Sequence, residues 1–543
     1  MSTPAPAANK PSVVTPPNKR ATALQVKINQ RQSKELVIAF SGPAGSGIRT
    51  TVELFRQQLE TAGYTVVAIK LSKHIKDKFE KLQKTRKNDL PNDLQEVNIN
   101  NLKGAERYET LQTIGNYLRQ QFEPNILAQS AIEEILFHRI EKARPQFEEQ
   151  NKKEKYDLEE LVGYAIDQYI PPKTAYLIDQ LKNPAEVELL RDVYGDLFYL
   201  VGTLCPERER KHNLLAQGMK EEEATRVMQR DRRENEDHGQ QLEKTLQLSD
   251  YFIRNLQDNR HELENQIKRF INIIHRTEIL TPTRDEHGMY VAHSAALRSA
   301  CLSRQVGAAI TDQSGQVIAT GCNDVPKYGG GLYSANDKER DLRCYNKGSK
   351  CYNDDFKERL IRQKLQEILE KHHIQEAQKI SEEMFRSTRI KDLIEFSRSI
   401  HAEMDALISV ARKGGVSTKG CTMYTTTFPC HSCAGHIVAA GITRVVYIEP
   451  YEKSLAMKLH DDAISSEEPA DNMVVFSHFE GVAPRRYQDF FLANEERKDE
   501  KGQLVVRSDY ELKPKIHEYL DSYRRMEVKV YEQLKETGLA SDA

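Results

Sequence analysis

The chain has 543 residues, of which 38% are hydrophobic and 29% charged, and its 79 basic side chains nearly balance 81 acidic ones. This length predicts more than one domain, and the formal net charge of −2 gives no bulk electrostatic reason to expect a nucleic-acid partner. No apolar run approaches the roughly 20 residues of a membrane span, and no signal peptide is recognised, so we expect a cytoplasmic protein without a membrane partner.

The first half of the chain has the pattern of an α/β domain. Residues 1–33 are rich in Pro, Ala, Thr and Lys without periodicity, which predicts a disordered tail. Residues 34–260 then alternate short apolar runs with amphipathic segments, which predicts a parallel sheet covered by helices. The predicted strands lie in KELVIAFS, YTVVAIK, AYLI, LFYLVG and SDYFIRN.

A second domain is predicted over residues 261–510. The run VGAAITDQSGQVIATGCND predicts a hairpin, and a helical insertion of about residues 330–395 follows it. Next come a helix at 400–413, the strand CTMYTTTF, a helix at 429–440 and the strand TRVVYIE. The last segment, 511–543, is predicted to be one exposed amphipathic helix.

Two short motifs in the second domain have the residue types of a metal site. His401 and Glu403 form an H-x-E motif, and Cys430 and Cys433 form a C-x-x-C motif after Pro429. Both motifs fall in the first turn of a predicted helix, where positions i and i+3 share a face and the helix dipole favours a thiolate. One imidazole and two thiolates leave an open position on zinc, so His401, Cys430 and Cys433 are predicted ligands and Glu403 the catalytic proton carrier.

Each motif alone has a simpler explanation. An isolated H-x-E is common, and an isolated C-x-x-C is often half of a four-cysteine structural zinc site. In this order, with a strand between the two helices, the motifs match the signature of the zinc deaminases. They therefore predict hydrolytic loss of ammonia from a ring amidine.

A glycine-rich turn, SGPAGSGIRTT, follows the first predicted strand and precedes a helix, the context in which backbone amides bind phosphate. Ile48 and Arg49 stand where the P-loop motif has Lys and a hydroxyl, and a one-residue shift lets Arg49 and Thr50 replace them. We expect a nucleoside triphosphate with Mg²⁺ here, acting as a regulatory signal rather than as a phosphoryl donor. The predicted binding residues are Gly42, Gly45, Ser46, Gly47, Arg49 and Thr50.

The runs HAEMDAL, YTTTFPCHSCA and RVVYIEPYEKS resemble the deoxycytidylate deaminase branch of the cytidine deaminase-like superfamily. The resemblance implies an α/β/α domain with a mixed sheet. SRQVGAAI and GCNDVP are similar to the substrate-side hairpin of that branch. By this resemblance Asn323 binds the nucleotide sugar, and Ser303 and Arg304 lie at the phosphate side. Where family members often have Asn after the HAE motif, this chain has Asp405.

The N-terminal P-loop, kinase-like domain, together with GGGLY and FEGVAPRRY, makes the whole chain resemble two-domain bacterial deaminases implicated in defence against phage. That resemblance implies deamination of dCMP and dCTP, homo-oligomers that are commonly hexamers, and, in some members, a small inhibitory RNA. Arg485 and Arg486 suit bidentate phosphate binding, and an ion-paired surface pair is the alternative.

Two other functions remain open from the sequence. A deaminase of bases in nucleic acid would keep the chemistry and change the substrate. An NTP-driven switch with a structural zinc would make the first domain the active one.

Overall fold

The computed structural model describes residues 33–151, 156–233, 241–256, 259–388, 393, 395–451, 454–467, 472–492 and 520–540. The predicted tail at 1–33 therefore lies almost wholly outside the described residues. The chain forms two compact units, of which the first comprises Met1–Thr281 with Glu480–Ala543 and the second Pro282–Phe479. Among the described residues, no helix is both long and apolar enough to cross a bilayer.

The first unit begins with an alternation of strands and helices. Its strands are β1 (Leu36–Ser41), β2 (Thr65–Lys70), β3 (Thr174–Asp179), β4 (Phe198–Leu204) and β5 (Tyr251–Arg254). Its helices are α1 (Ile48–Thr61), α2 (Leu71–Thr85), α3 (Gly104–Gln121), α4 (Ile126–Asn151), α5 (Leu158–Asp167), α6 (Pro184–Tyr194), α7 (Glu207–Ala216), α8 (Glu221–Arg233), α9 (Leu242–Gln247) and α10 (Arg260–His275).

The described part of the second unit has six strands and an irregular helical insertion. Its strands are β6 (Gly307–Thr311), β7 (Val317–Cys322), β8 (Thr422–Thr427), β9 (Arg444–Glu449), β10 (Ile464–Ser465) and β11 (Val474–His478). Its helices are α11 (Arg284–Ala296), α12 (Tyr352–Phe356), α13 (Lys364–Lys371), α14 (Ala377–Ser387), α15 (Ala402–Lys413), α16 (His431–Ala439) and α17 (Ala456–Leu459), with a π-helical turn at Lys357–Gln363.

The chain then returns to the first unit. The returning elements are β12 (Gly481–Val482), α18 (Tyr487–Phe491) and α19 (Leu520–Thr537). The two-residue strand β12 pairs antiparallel with β5, through Gly481 opposite Phe252 and Val482 opposite Tyr251. The second unit therefore begins at Pro282 and ends at Phe479, whereas the sequence had suggested 261 and 510.

The sheet of the first unit has the order β12-β5-β4-β1-β3-β2, and all its pairs except β12 with β5 are parallel. Every residue of β1 and of β4 is buried, as expected where helices cover both faces of a parallel sheet. The α/β alternation predicted from the sequence is confirmed. The direction in which successive strands are added to the sheet reverses at β1. The glycine-rich turn follows the carboxyl end of this central strand, and open α/β sheets bind ligands at such a position.

The sheet of the second unit has the order β10-β11-β9-β8-β6-β7. β6 is antiparallel to β7 and β8, and the remaining pairs are parallel, so the sheet is mixed as expected. A glycine lets a helix pack directly on this sheet: a Cβ added to Gly321 would lie 2.2 Å from the Ala402 carbonyl oxygen in α15. The position of α15 therefore depends on Gly321 in β7.

The C-terminal helix differs from the expectation. α19 was predicted to be exposed, but Tyr523, Arg524 and Glu527 are at most 1% exposed. Glu527 pairs with Arg139 of α4, which also contacts Glu35 at 3.2 Å. The helix is exposed on one face, as expected, but the face with Tyr523, Arg524 and Glu527 contacts the rest of the unit, where Arg139 offsets the cost of burying the Glu527 charge.

Candidate functional site

Three potential metal ligands from separate segments of the second unit meet at one point. His401 Nδ1 lies 3.4 Å from Cys430 Sγ and 3.4 Å from Cys433 Sγ. The three ligand atoms all lie within 4.8 Å of one another, and no second group of three meets that criterion in the described segments. The donor set of one imidazole and two sulfurs fits a tetrahedral zinc ion with one position left for water.

Two helix N-termini hold these ligands. His401 has extended backbone angles immediately before α15, and Cys430 has the same role before α16. The Cys430 sulfur accepts a hydrogen bond from the backbone amide of Cys433 at 3.5 Å. Both helices therefore direct the positive end of their dipoles at the ligand atoms, which favours thiolates.

The charges of the three ligands depend on one another. A hydrogen bond with Cys430 raises the pKa of His401. A hydrogen bond from Cys433 lowers the pKa of the Cys430 thiol, and the same interaction raises the pKa of Cys433. Of the two sulfurs, that of Cys430 therefore loses its proton more readily than that of Cys433. A bound divalent cation would replace the shared protons, which is the usual coupling of metal binding to deprotonation.

Glu403 lies beside these ligands and is only 3% exposed. Burial raises its pKa, and the neighbouring His401 charge acts in the opposite direction. A carboxylate whose pKa is raised is a stronger base than that of an ordinary glutamate, and its protonated form persists to higher pH. Glu403 therefore has the environment of a proton carrier.

A cleft of about 200 Å³ opens onto this group, and all its lining residues belong to the second unit. The lining includes Glu403, Phe428 and Tyr451, together with Cys301, Cys344 and Cys351. All eight cysteines of the chain are free thiols. The cleft combines an apolar wall with a few polar groups, which is typical of sites for small organic ligands.

The structure places the predicted sugar and phosphate residues along the same cleft. The carboxamide of Asn323 accepts from the Val306 amide at 2.7 Å and donates to the Arg304 carbonyl at 2.9 Å, so it holds the segment between them. Ser303 Oγ lies 3.6 Å from Cys351 Sγ. The Arg304 guanidinium is half exposed and lies 3.4 Å from Glu449.

Asp405 has a structural contact in this unit. Its Oδ2 accepts a hydrogen bond from the backbone amide of Cys322, the last residue of β7, at 3.1 Å. Burial raises the pKa of this carboxyl group. Asp405 thus ties α15 to the edge of the hairpin that carries Asn323.

Arg485 and Arg486, which were candidates for bidentate phosphate binding, belong to the first unit. Arg485 contacts Asp250 at 2.7 Å, and Arg486 contacts Asp489 at 3.1 Å and lies over the Phe490 ring. Their contacts within the first unit are those of the ion-paired alternative, and phosphate binding by these two arginines stays a prediction.

The glycine-rich turn also lies in the first unit, between β1 and α1. Gly45 and Gly47 have φ angles of 81° and 77°, which favour glycine. Arg49 and Thr50 are exposed on the first turn of α1. Gly42 and Ser46 are buried.

Arg398 is a charged cleft residue that the sequence analysis did not identify. Arg398 lines the cleft three residues before His401, donates to the Leu342 carbonyl at 3.1 Å and lies over the Tyr352 ring. Its nearness to the H-x-E motif was a usable signal. Its position in the cleft could not be predicted, because it depends on contacts with Leu342 and Tyr352 of the insertion that no sequence pattern indicates.

A histidine, two cysteines and a buried glutamate in this arrangement define the site of a hydrolytic deaminase. The family model for the cytidine and deoxycytidylate deaminase zinc-binding region matches residues 282–449. The deoxycytidylate deaminase of enterobacteria phage T4 is 31% identical over 176 residues, covering 31% of this chain and 78% of the relative. That of phage T2 is 30% identical over 168 residues, covering 31% and 80%.

A solved dCMP deaminase from cyanophage S-TIM5 is 18% identical and has a TM-score of 0.21, with coverage of 37% of this chain and 99% of that chain. From the family model and the two phage relatives, the chain belongs to the cytidine and deoxycytidylate deaminase family. It is a deaminase enzyme, as the two motifs predicted.

Proposed function

We propose that the second unit removes the amino group of deoxycytidine monophosphate by hydrolysis, giving deoxyuridine monophosphate and ammonia. The observation that carries this proposal is the convergence of His401, Cys430 and Cys433 beside the buried carboxyl group of Glu403. The names of the phage T4 and T2 relatives support the choice of substrate.

His401, Cys430 and Cys433 would hold zinc, which lowers the pKa of water towards neutrality when it is bound in such a site. Glu403 accepts a proton from the water whose oxygen adds to C4 of the cytosine ring, and it delivers that proton to ring atom N3. It then carries the remaining hydroxyl proton to the amino group. The C4–N4 bond breaks, ammonia leaves, and a carbonyl forms at C4.

Ammonia release from dCMP, dCTP and single-stranded DNA, measured in parallel with the full chain, tests the substrate. We expect turnover of the free nucleotides and none of the polymer, because the chain has a formal net charge of −2 and no bulk attraction for a polyanion. Deamination of the polymer alone would refute the proposal in favour of a nucleic-acid deaminase.

The variant Glu403→Gln tests the chemistry separately. It keeps the size of the side chain and removes its ability to carry a proton, so metal content and melting temperature should stay near those of the parent while turnover falls by about 100-fold or more. Undiminished turnover would favour a structural metal and a switch function in the first unit.

The action on dCTP and a role in phage defence are a second layer of the same proposal. The resemblance of the whole chain to two-domain defence deaminases supports it. Cells that express the parent chain should restrict phage and lose deoxycytidine nucleotides during infection, and cells that express Glu403→Gln should do neither. Restriction by the inactive variant would separate defence from deamination.

A further inference from the structure

A buried carboxylate is bound at the glycine-rich turn of the first unit. Asp231, near the end of α8, is 3% exposed. Its Oδ2 accepts a hydrogen bond from the backbone amide of Ala44 at 2.6 Å, and its Oδ1 accepts one from Lys182 Nζ at 2.8 Å. One oxygen of the carboxylate thus accepts a hydrogen bond from a loop amide, and the other accepts one from an ammonium group.

A backbone amide and an ammonium group are also the donors that bind phosphoryl oxygens at the carboxyl end of a strand in an α/β sheet. Ala44 lies in the turn between the carboxyl end of β1 and the start of α1, where backbone amides and the helix dipole favour an anion. Hydrogen bonds between charged or partly charged groups are short and strong, in line with the distances to Asp231. In this structure the anion bound at the turn is the Asp231 carboxylate of the same chain.

Lys182 provides a buried positive charge at the turn, whereas Arg49 is exposed. The residue follows β3, and its side chain is 10% exposed. Its ammonium group also donates to the Gly42 carbonyl at 3.1 Å, so it is fixed at the start of the turn. A lysine distant in sequence thus takes the place that Ile48 and Arg49 leave without one.

An unused hydroxyl group lies in the same turn. Ser46 is 1% exposed, and its Oγ has no hydrogen-bond partner among the residues that the structure describes. A buried polar group without a partner costs about 1–3 kcal/mol, so its retention is explained when a ligand uses it. This hydroxyl is a third donor at the turn that the Asp231 carboxylate does not use.

The helix that carries Asp231 makes its buried apolar contacts outside the two large cores of the first unit. α8 packs through Ala224, Val227 and Met228 in a small apolar cluster apart from the two large cores of the first unit. Its polar contacts to α3 include Arg226 with Glu109, at 2.5 Å, on the surface. Elements with few buried apolar contacts open at lower free energy than core elements.

We propose that the first unit contains a phosphoryl-binding site built from the Ala44 amide and the Lys182 ammonium group, and that Asp231 closes it as an internal competitor. Binding of a phosphoryl group displaces the carboxylate and releases α8 from the turn. This inference concerns the first unit alone and does not rest on the function proposed for the second.

The test measures binding of inorganic pyrophosphate and of ATP, each with Mg²⁺, to the full chain by calorimetry. A site that is open for 1–10% of the time binds about 10–100-fold more weakly than the open site. The variant Asp231→Asn keeps the shape and removes the charge, so both ligands should bind about 10–100-fold more tightly than to the parent. Adding Lys182→Met should abolish that gain.

A matched control is Glu222→Gln, which removes one negative charge from the exposed face of the same helix. It should leave affinity near that of the parent. An equal gain in Glu222→Gln and Asp231→Asn, or no gain in Asp231→Asn, would overturn the proposal. Tighter binding of ATP than of pyrophosphate assigns the ligand as a nucleotide, and equal binding assigns it as the phosphoryl group alone.

Hydrogen exchange of the parent chain gives a second measurement that does not depend on a variant. Saturating pyrophosphate should speed exchange in α8, because the carboxylate no longer holds its end at the turn. Unchanged exchange at saturation would show that Asp231 is a permanent structural ligand, and the proposal would fail.

Discussion

The substitution Gly321→Ala should disable the deaminase site, although Gly321 itself does not line the cleft. The added Cβ would lie 2.2 Å from the Ala402 carbonyl oxygen and 2.4 Å from the Ala406 nitrogen, whereas real Cβ atoms essentially never approach closer than 3.0 Å. Both neighbours are backbone atoms of α15, so no side-chain rotation relieves the clash. The helix must move away from β7 by about 0.8 Å or more.

Ala402 lies between His401 and Glu403, so this movement displaces a predicted ligand and the proton carrier together. A misplacement of about 1 Å costs on the order of 100-fold in rate, and overpacking costs about 1–3 kcal/mol of stability. We therefore expect a kcat for dCMP about 100-fold below that of the parent, with a lowered melting temperature. Steady-state ammonia release and thermal unfolding measure the two effects.

The control is Gly163→Ala in α5, where an added Cβ meets nothing within 4 Å. This helical position should gain about 0.5–1 kcal/mol, because alanine restricts the unfolded chain more than glycine does. If Gly321→Ala kept half or more of the parent kcat, the close approach of α15 to β7 would not set the geometry of the site.

Three more predictions follow from the same structure. Dialysis against a strong chelator should abolish turnover and lower the melting temperature, and added zinc should restore both; full activity with no zinc by atomic absorption would exclude a catalytic metal. Arg304→Gln should raise KM for dCMP about 10-fold or more with a smaller change in kcat, if its guanidinium binds the phosphate; an unchanged KM would remove it from the site. Arg139→Met should cost about 3–5 kcal/mol in denaturant unfolding, since it removes the cation that contacts both Glu35 and Glu527, while Arg56→Met on the surface should cost less than about 1 kcal/mol. The free-energy cost of Arg139→Met should be smaller at pH 5 than at pH 8, because burial raises the pKa of Glu527 and its protonated form is tolerated inside the unit. Equal costs for Arg139→Met and Arg56→Met would contradict the burial argument.

The sequence predicted the elements best where local patterns decide them. Strands such as β1 and β4 are short apolar runs between turn residues, and the structure has them where the pattern indicated. The ligand triad was accessible for a related reason. Short motifs at helix starts fix the direction of their side chains, so the spacing within each motif already contains part of the geometry.

Features that depend on contacts distant in sequence were not accessible. No sequence pattern singled out Lys182, and only the fold brings it to Gly42 and Asp231. The polar side of α19 looked solvent-exposed because its partner, Arg139, lies 388 positions earlier in the chain. Such pairings leave no periodic signal in either segment.

The second unit is inserted between two segments of the first, so the two units are completed at different times during synthesis. The polypeptide enters the second unit at Pro282 and leaves it at Phe479, and only afterwards supplies β12 and α19. Since domains generally fold as units during synthesis, the deaminase region is complete on the ribosome before the older, N-terminal region can close. A premature stop after residue 479 would therefore leave an intact catalytic centre attached to an unfinished neighbour whose Glu35 and Arg139 lack Glu527.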